Sequence, residues 1–131
     1  AQTGVISTVI GPGDGEGHSP DGTPALQASL GTPHGVEVSP DGSTIYVSDT
    51  ENFQVRCVGP DGLLRTIAGS DDGGDSGDGG PATSATLNYP YSLRLYGEDV
   101  LLISDHWNNK LRAVKLSSAA VTSRSQSLDR S

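Results

Sequence analysis

Apolar residues in this chain come in short runs, and most of the runs alternate with polar positions. Val36-Glu37-Val38 and Val55-Arg56-Cys57-Val58 show the alternation most clearly. That period of two is the mark of a half-buried strand. Val100-Leu101-Leu102-Ile103 is a continuous apolar run, which reads as a strand buried on both faces. Turn residues punctuate the runs. Pro40-Asp41-Gly42 lies between residues 35–39 and 44–48, so those two segments are expected to pair as a hairpin. Gly59-Pro60-Asp61-Gly62 ends the next segment, 54–58. The full set of expected strands is 5–10, 35–39, 44–48, 54–58, 63–68, 91–96, 100–104 and 110–116.

The pattern occurs twice. ISTVIG at 6–11 matches LRTIAG at 64–69, and DGTPALQASLGTP at 21–33 matches DGGPATSATLNYP at 78–90. IYVSDTENFQVRCV at 45–58 matches LLISDHWNNKLRAV at 101–114. The offset drifts from 58 to 57 to 56, as small length changes in turns would produce. The Asp- and Gly-rich stretch 70–80 is therefore part of a repeat unit, since a free linker would not keep such spacing. Two units are expected, at about 4–62 and 63–116, followed by a Ser-rich tail at 117–131.

These motifs resemble the NHL-repeat β-propellers. The residues that carry the resemblance are Thr66-Ile67-Ala68-Gly69, the loop Gly77-Asp78-Gly79-Gly80-Pro81-Ala82, and Leu87-Asn88-Tyr89-Pro90. To these are added Ser48-Asp49-Thr50-Glu51-Asn52 and Ser104-Asp105-His106-Trp107-Asn108, with the Val-Arg and Leu-Arg pairs at 55–56 and 111–112. The long Gly/Asp-rich loops look most like those of extracellular propellers of the teneurin type. Arg94, in a place where the family pattern has a small apolar residue, and His18-Ser19-Pro20 depart from the pattern.

The resemblance implies an all-β fold of four-stranded antiparallel blades, commonly six to a ring. In propeller lettering, with d outermost, this chain reads d-a-b-c-d-a-b-c. Residues 5–10 are then a d strand without its a-b-c, and 91–116 an a-b-c without its d. Unpaired edges are templates for other strands. The expected outcome is strand complementation with copies of the chain, giving a closed ring of three chains or an open filament, or with further segments of a longer chain. Residue 1 is Ala, so a processed chain or a piece of a longer one is expected.

Bulk properties narrow the picture further. The net charge of −8 argues against binding nucleic acid or anionic membranes, and no apolar stretch is long enough to span a bilayer. The single Cys57 rules out an internal disulfide framework and is expected to be a small buried apolar residue. Two lysines, no Met and acidic Gly/Ser/Thr-rich loops suit an extracellular or cell-surface protein. There is no Asn-x-Ser/Thr sequon, so N-glycans are not expected; the Ser-rich tail would permit O-glycans.

Candidate chemistry is sparse. Asp71, Asp72, Asp75 and Asp78 offer hard oxygens at flexible spacing, as calcium prefers, or else simple solvated turns. Asp49 and Asp105 are either an acid–base pair or turn residues acting with Asn52 and Asn108; Asp21 and Asp78 are expected to be structural. His34 and its repeat mate Tyr91 are placed at the axial mouth, as a binding rim. His18 and His106 complete a histidine set with no assignable metal pattern. Phe53, Tyr89 and Trp107 are loop aromatics, with Trp107 an interface anchor or a packing residue. Val5, Ile6, Val9, Leu111 and Val114 are expected on the pairing edges, and Arg56 and Arg112 are expected to pair with acids. The function expected is a non-enzymatic structural and interaction module with protein partners. A calcium-dependent protein- or glycan-binding ectodomain piece comes next, and a propeller lyase or hydrolase third.

Overall fold

The computed structural model describes residues 3–116. The expected tail, 117–131, lies outside the described residues. Among those described there are seven strands in two antiparallel sheets. The first sheet runs in the order β1 (Pro33–Val38), β2 (Ile45–Asp49), β3 (Gln54–Val58), β4 (Leu64–Ala68). The second runs β5 (Pro90–Tyr96), β6 (Val100–Asp105), β7 (Lys110–Lys115). Single 3-10 turns lie at Ala25–Gln27, Thr50–Asn52, Ala82–Ser84 and His106–Asn108. The protein is all-β, and no helix among the described residues is long and apolar enough to cross a membrane.

Each sheet is a meander, so neighbours in sequence are neighbours in space. Pairing is continuous from Ile45 opposite Val58 to Asp49 opposite Gln54, and again from Val100 opposite Lys115 to Asp105 opposite Lys110. The repeat is thus a repeat of register as well as of sequence. Both first strands carry the same irregularity, between Pro33 and Val36 and between Pro90 and Leu93.

The main core lies between the sheets. Tyr46, Val55 and Ala68 from the first meet Leu93, Leu101, Ile103 and Val114 from the second, with Leu87 of the connecting loop among them. A smaller core of Ala28, Val58 and Leu64 lies on the other face of the first sheet, under the 11–31 loop. The sheets come closest at β1 and β5. Ser48 Oγ donates to the Tyr91 carbonyl at 2.6 Å, Thr50 Oγ1 to the Pro90 carbonyl at 2.7 Å, and the Leu95 N–H to Glu37 Oε2 at 2.8 Å. Gly35 makes this approach sterically feasible, because a Cβ there would stand 2.0 Å from the Tyr91 oxygen.

Two expectations need correction, and a third gains a second role. Residues 5–10 form no strand; Val5, Ile6 and Val9 are exposed and have no ladder partner among the described residues. A strand is stabilised by its neighbour, and the sheet this one would finish is not among them. Val114, expected on a pairing edge, is turned inward with Arg112 by the alternation along β7, so it packs in the main core and also lines the cavity beside the open edge of that strand. The 100–103 run is fully buried only at Leu101 and Ile103, with Val100 and Leu102 half-buried.

Candidate binding rim

The side chains that both units share are tied into the scaffold. In the first unit Asp49 Oδ1 accepts from the Gly31 N–H at 2.6 Å and from Asn52 Nδ2 at 2.9 Å, and Oδ2 accepts from the Arg56 guanidinium at 3.0 Å. Arg56 also donates to the Ser19 carbonyl at 2.7 Å and to Asp21 at 3.3 Å. In the second unit Asp105 accepts from the Asn88 N–H, Asn108 and Arg112 at 2.7, 2.8 and 2.9 Å. Arg112 reaches Asp78 and the carbonyls of Ser76 and Thr86. Each arginine thus clamps a long loop to the end of a sheet. Burial works against the Arg112 charge, but Asp105 and Asp78 outweigh it and hold its pKa above the ordinary value. Burial likewise pushes Asp21 up, and its bonds to Thr66 and Arg56 more than reverse this.

The turns between β2 and β3 and between β6 and β7, and the entries to β1 and β5, have one shape in both units. Phe53 and Asn109, at matching positions, have φ of 61° and 57°; Thr32 and Tyr89, also matching, have 45° and 58°. Left-handed backbone at non-glycine residues costs free energy and needs a fixed surrounding to hold it. The outcome is a set of side chains displayed from one end of the two sheets.

The two units differ on that rim. Where the first has Thr32, His34, Thr50, Glu51 and Phe53, the second has Tyr89, Tyr91, His106, Trp107 and Asn109. The rings meet in two stacks. His34 lies on Tyr91 at 4.1 Å between centroids, with His106 at 4.6 Å from Tyr91. Trp107 lies on Tyr89 at 4.0 Å, nearly parallel at 6°, and Phe53 meets Tyr89 edge-on at 6.0 Å. Trp107 remains 57% exposed, so it packs on one ring and still offers surface. Because Thr50 Oγ1 donates to Pro90, its oxygen accepts the 3.1 Å bond from His34 Nδ1, which assigns the proton to Nδ1 and leaves Nε2 as an acceptor in neutral His34. His106 belongs to this rim although its sequence pattern suggested no partner; the matching place of Thr50, next to the His34 position, was the available signal.

The four loop aspartates do not converge. Asp71 faces Gln54 and His18, Asp75 pairs with Lys110, and Asp78 with Arg112, while Asp72 is exposed. Among the described residues no group of three or more His, Cys, Asp or Glu side chains is placed to hold a metal ion. At the opposite end of the strands a 520 Å³ cleft opens between the sheets, with Tyr46, Cys57, Arg65 and Ile67 in its wall. Burial raises the pKa of Cys57 there, which makes its thiol a poor nucleophile.

No family model matches the chain, and no curated protein does. Solved structures do. A Bacteroides thetaiotaomicron protein of unknown function is 29% identical with a TM-score of 0.66, over 73% of this chain and 24% of that one. An auxiliary nutrient binding protein from the same species is 26% identical with a TM-score of 0.62, over 81% of this chain and 27% of that one. A protein so described from Bacteroides ovatus is 21% identical with a TM-score of 0.60, over 84% and 28%, a likeness of fold alone. This chain spans about a quarter of the length of each.

Proposed function

We propose that this chain is a non-enzymatic binding module, built of NHL-type propeller blades, that acts by assembly and by ligand contact at the aromatic rim. One observation carries the reading. The carboxylates and guanidinia common to both units are consumed in holding loops, whereas five positions that differ between them lie together on one rim, with the Trp107 face open to solvent. A rigid scaffold with varied loop-borne side chains is the usual design of a recognition surface. An acid–base pair at Asp49 and Asp105 would need a carboxylate open to substrate, and both are fully buried and bonded.

The open sheet edges supply the route of assembly, either with copies of this chain or with more of a longer one. Three copies would bring six sheets to a ring, and a rotation that does not close would give a filament. Acidic, lysine-poor loops suit an extracellular or surface setting.

A glycan ligand is the second reading. The exposed face of Trp107 is the kind of flat aromatic surface that stacks on a sugar ring, and a neighbour is described as an auxiliary nutrient binding protein. Trp107 is the only tryptophan, so its fluorescence reports this rim directly. A panel of oligosaccharides and aromatic peptides, each titrated with and without calcium, is expected to shift the emission. Tyr89→Ala, which leaves the reporter in place, is expected to weaken that binding about tenfold, the order of one lost aromatic contact. Binding that leaves the Trp107 emission unchanged and is indifferent to Tyr89→Ala would place recognition elsewhere.

A further inference from the structure

The first sheet shows how a fourth strand is received, and the second has the same receiving parts. Along β3, Val58 faces Leu64, Cys57 faces Arg65 and Arg56 faces Thr66. Leu64 is fully buried against Ala28 and Val58, with Ala25 and Leu30 beside them. The loop ahead grips the start of β4. Gly22 N–H donates to the Leu64 carbonyl at 2.8 Å, Leu64 N–H to the Thr23 carbonyl at 2.9 Å, and Ala25 N–H to the Gly62 carbonyl at 2.9 Å. Thr66 Oγ1 then donates to Asp21 at 2.8 Å.

By repeat position, Ala28, Val58, Ala25, Leu30 and Asp21 become Ala85, Val114, Ala82, Leu87 and Asp78. Where Leu64 would sit in the second unit there is a 280 Å³ cavity, and those five residues line it. Beside it runs β7, whose outer edge meets no strand among the described residues. Leu111 on β7 is 74% exposed.

Residues 4–11 carry the matching sequence. Gly4 stands for Gly62, Ile6 for Leu64 and Thr8 for Thr66. Ile6 is 95% exposed, an unusual state for an isoleucine. Within one chain this segment is kept from β7. Ile10 packs into the small core on the face of the first sheet turned away from the second, and the Gly11 N–H is bonded to the Ala25 carbonyl.

We propose that residues 4–11 of a second copy of this chain lie antiparallel along β7, with Ile6 seated in the cavity opposite Val114. Ser7 then faces Ala113, Thr8 faces Arg112 and donates to Asp78, and the Gly79 and Ala82 N–H groups are satisfied as Gly22 and Ala25 are in the first unit. The contact joins different surfaces of the two copies, so it propagates from chain to chain. The inference rests on the reading that these sheets are completed by strand addition, and it names the strand.

Two measurements test it on the 1–131 chain. Sedimentation over a wide concentration range is expected to show mass rising above one chain. Ile6→Asp, a change at a solvent-exposed side chain, is expected to move that rise to at least tenfold higher concentration. A fluorescent peptide of residues 4–11 is titrated against the Ile6→Asp chain, with a peptide of residues 62–69 beside it. Saturable binding of the 4–11 peptide supports the proposal. Binding of the 62–69 peptide alone overturns the second copy as occupant and leaves strand addition standing. Binding of neither, with a mass indifferent to Ile6→Asp, overturns both.

Discussion

Arg56→Met tests whether the arginine clamps hold the fold. Arg56 is 1% exposed and its partner Asp49 is 0% exposed. Removing the guanidinium deletes bonds to Asp49, to the Ser19 carbonyl and to Asp21. Methionine fills much of the volume, so the loss is mainly electrostatic. Asp49 keeps the Gly31 and Asn52 bonds and is left as a buried charge without its counterion. Breaking a buried pair by deleting one partner costs about 3–5 kcal/mol. That is a large share of the ~5–15 kcal/mol that holds a domain together. With a urea slope of about 2 kcal/mol per molar, the midpoint is expected to fall by ~2 M at fixed protein concentration. Arg56→Met with Asp49→Asn removes both charges, and the double variant is expected to be at least ~1 kcal/mol more stable than the sum of the singles. A midpoint that falls by less than ~0.5 M, or singles that simply add, would refute the clamp as an electrostatic unit.

Two further perturbations address other parts of the structure. Gly35→Ala places a methyl 2.0 Å from the Tyr91 oxygen, so the sheets must part at β1 and β5; a loss of about 3 kcal/mol is expected in urea melts, with a weakened near-ultraviolet signal from the stacked rim. Asp61, bonded to Arg65, has its pKa lowered to about 2 from 3.8. A depressed folded-state pKa gives stability that is present above the unfolded value and lost as pH falls toward 2. Asp61→Asn is therefore expected to flatten the stability profile between about pH 4 and pH 2, and an unchanged slope there would count against the pair.

Much of the architecture was legible in the residues. Alternation and short apolar runs between turn signals located all seven strands to within two residues at either end. The repeat alone matches Asp49 with Asp105 and Arg56 with Arg112. Residues 5–10 were misread for a physical reason: their composition suits a strand, but a strand also needs a neighbour, and composition cannot supply one. Val114 has a second role that composition does not show, because a residue next to an open edge still has an inner face.

By itself, then, the sequence determined the all-β class, the internal repeat and the order of the strands along the chain, since these rest on local periodicity and turn chemistry. Only the tertiary structure decided what the side chains do. It turned Asp71, Asp75 and Asp78 toward separate partners and left Asp72 exposed, and it brought His34 of β1, Tyr91 of β5 and His106 of the 106–108 turn into one stack. It also left a cavity where Leu64 has its counterpart. The reason is distance along the chain. Partners dozens of residues apart are chosen by how two sheets pack, and a pattern of period two holds no record of that packing.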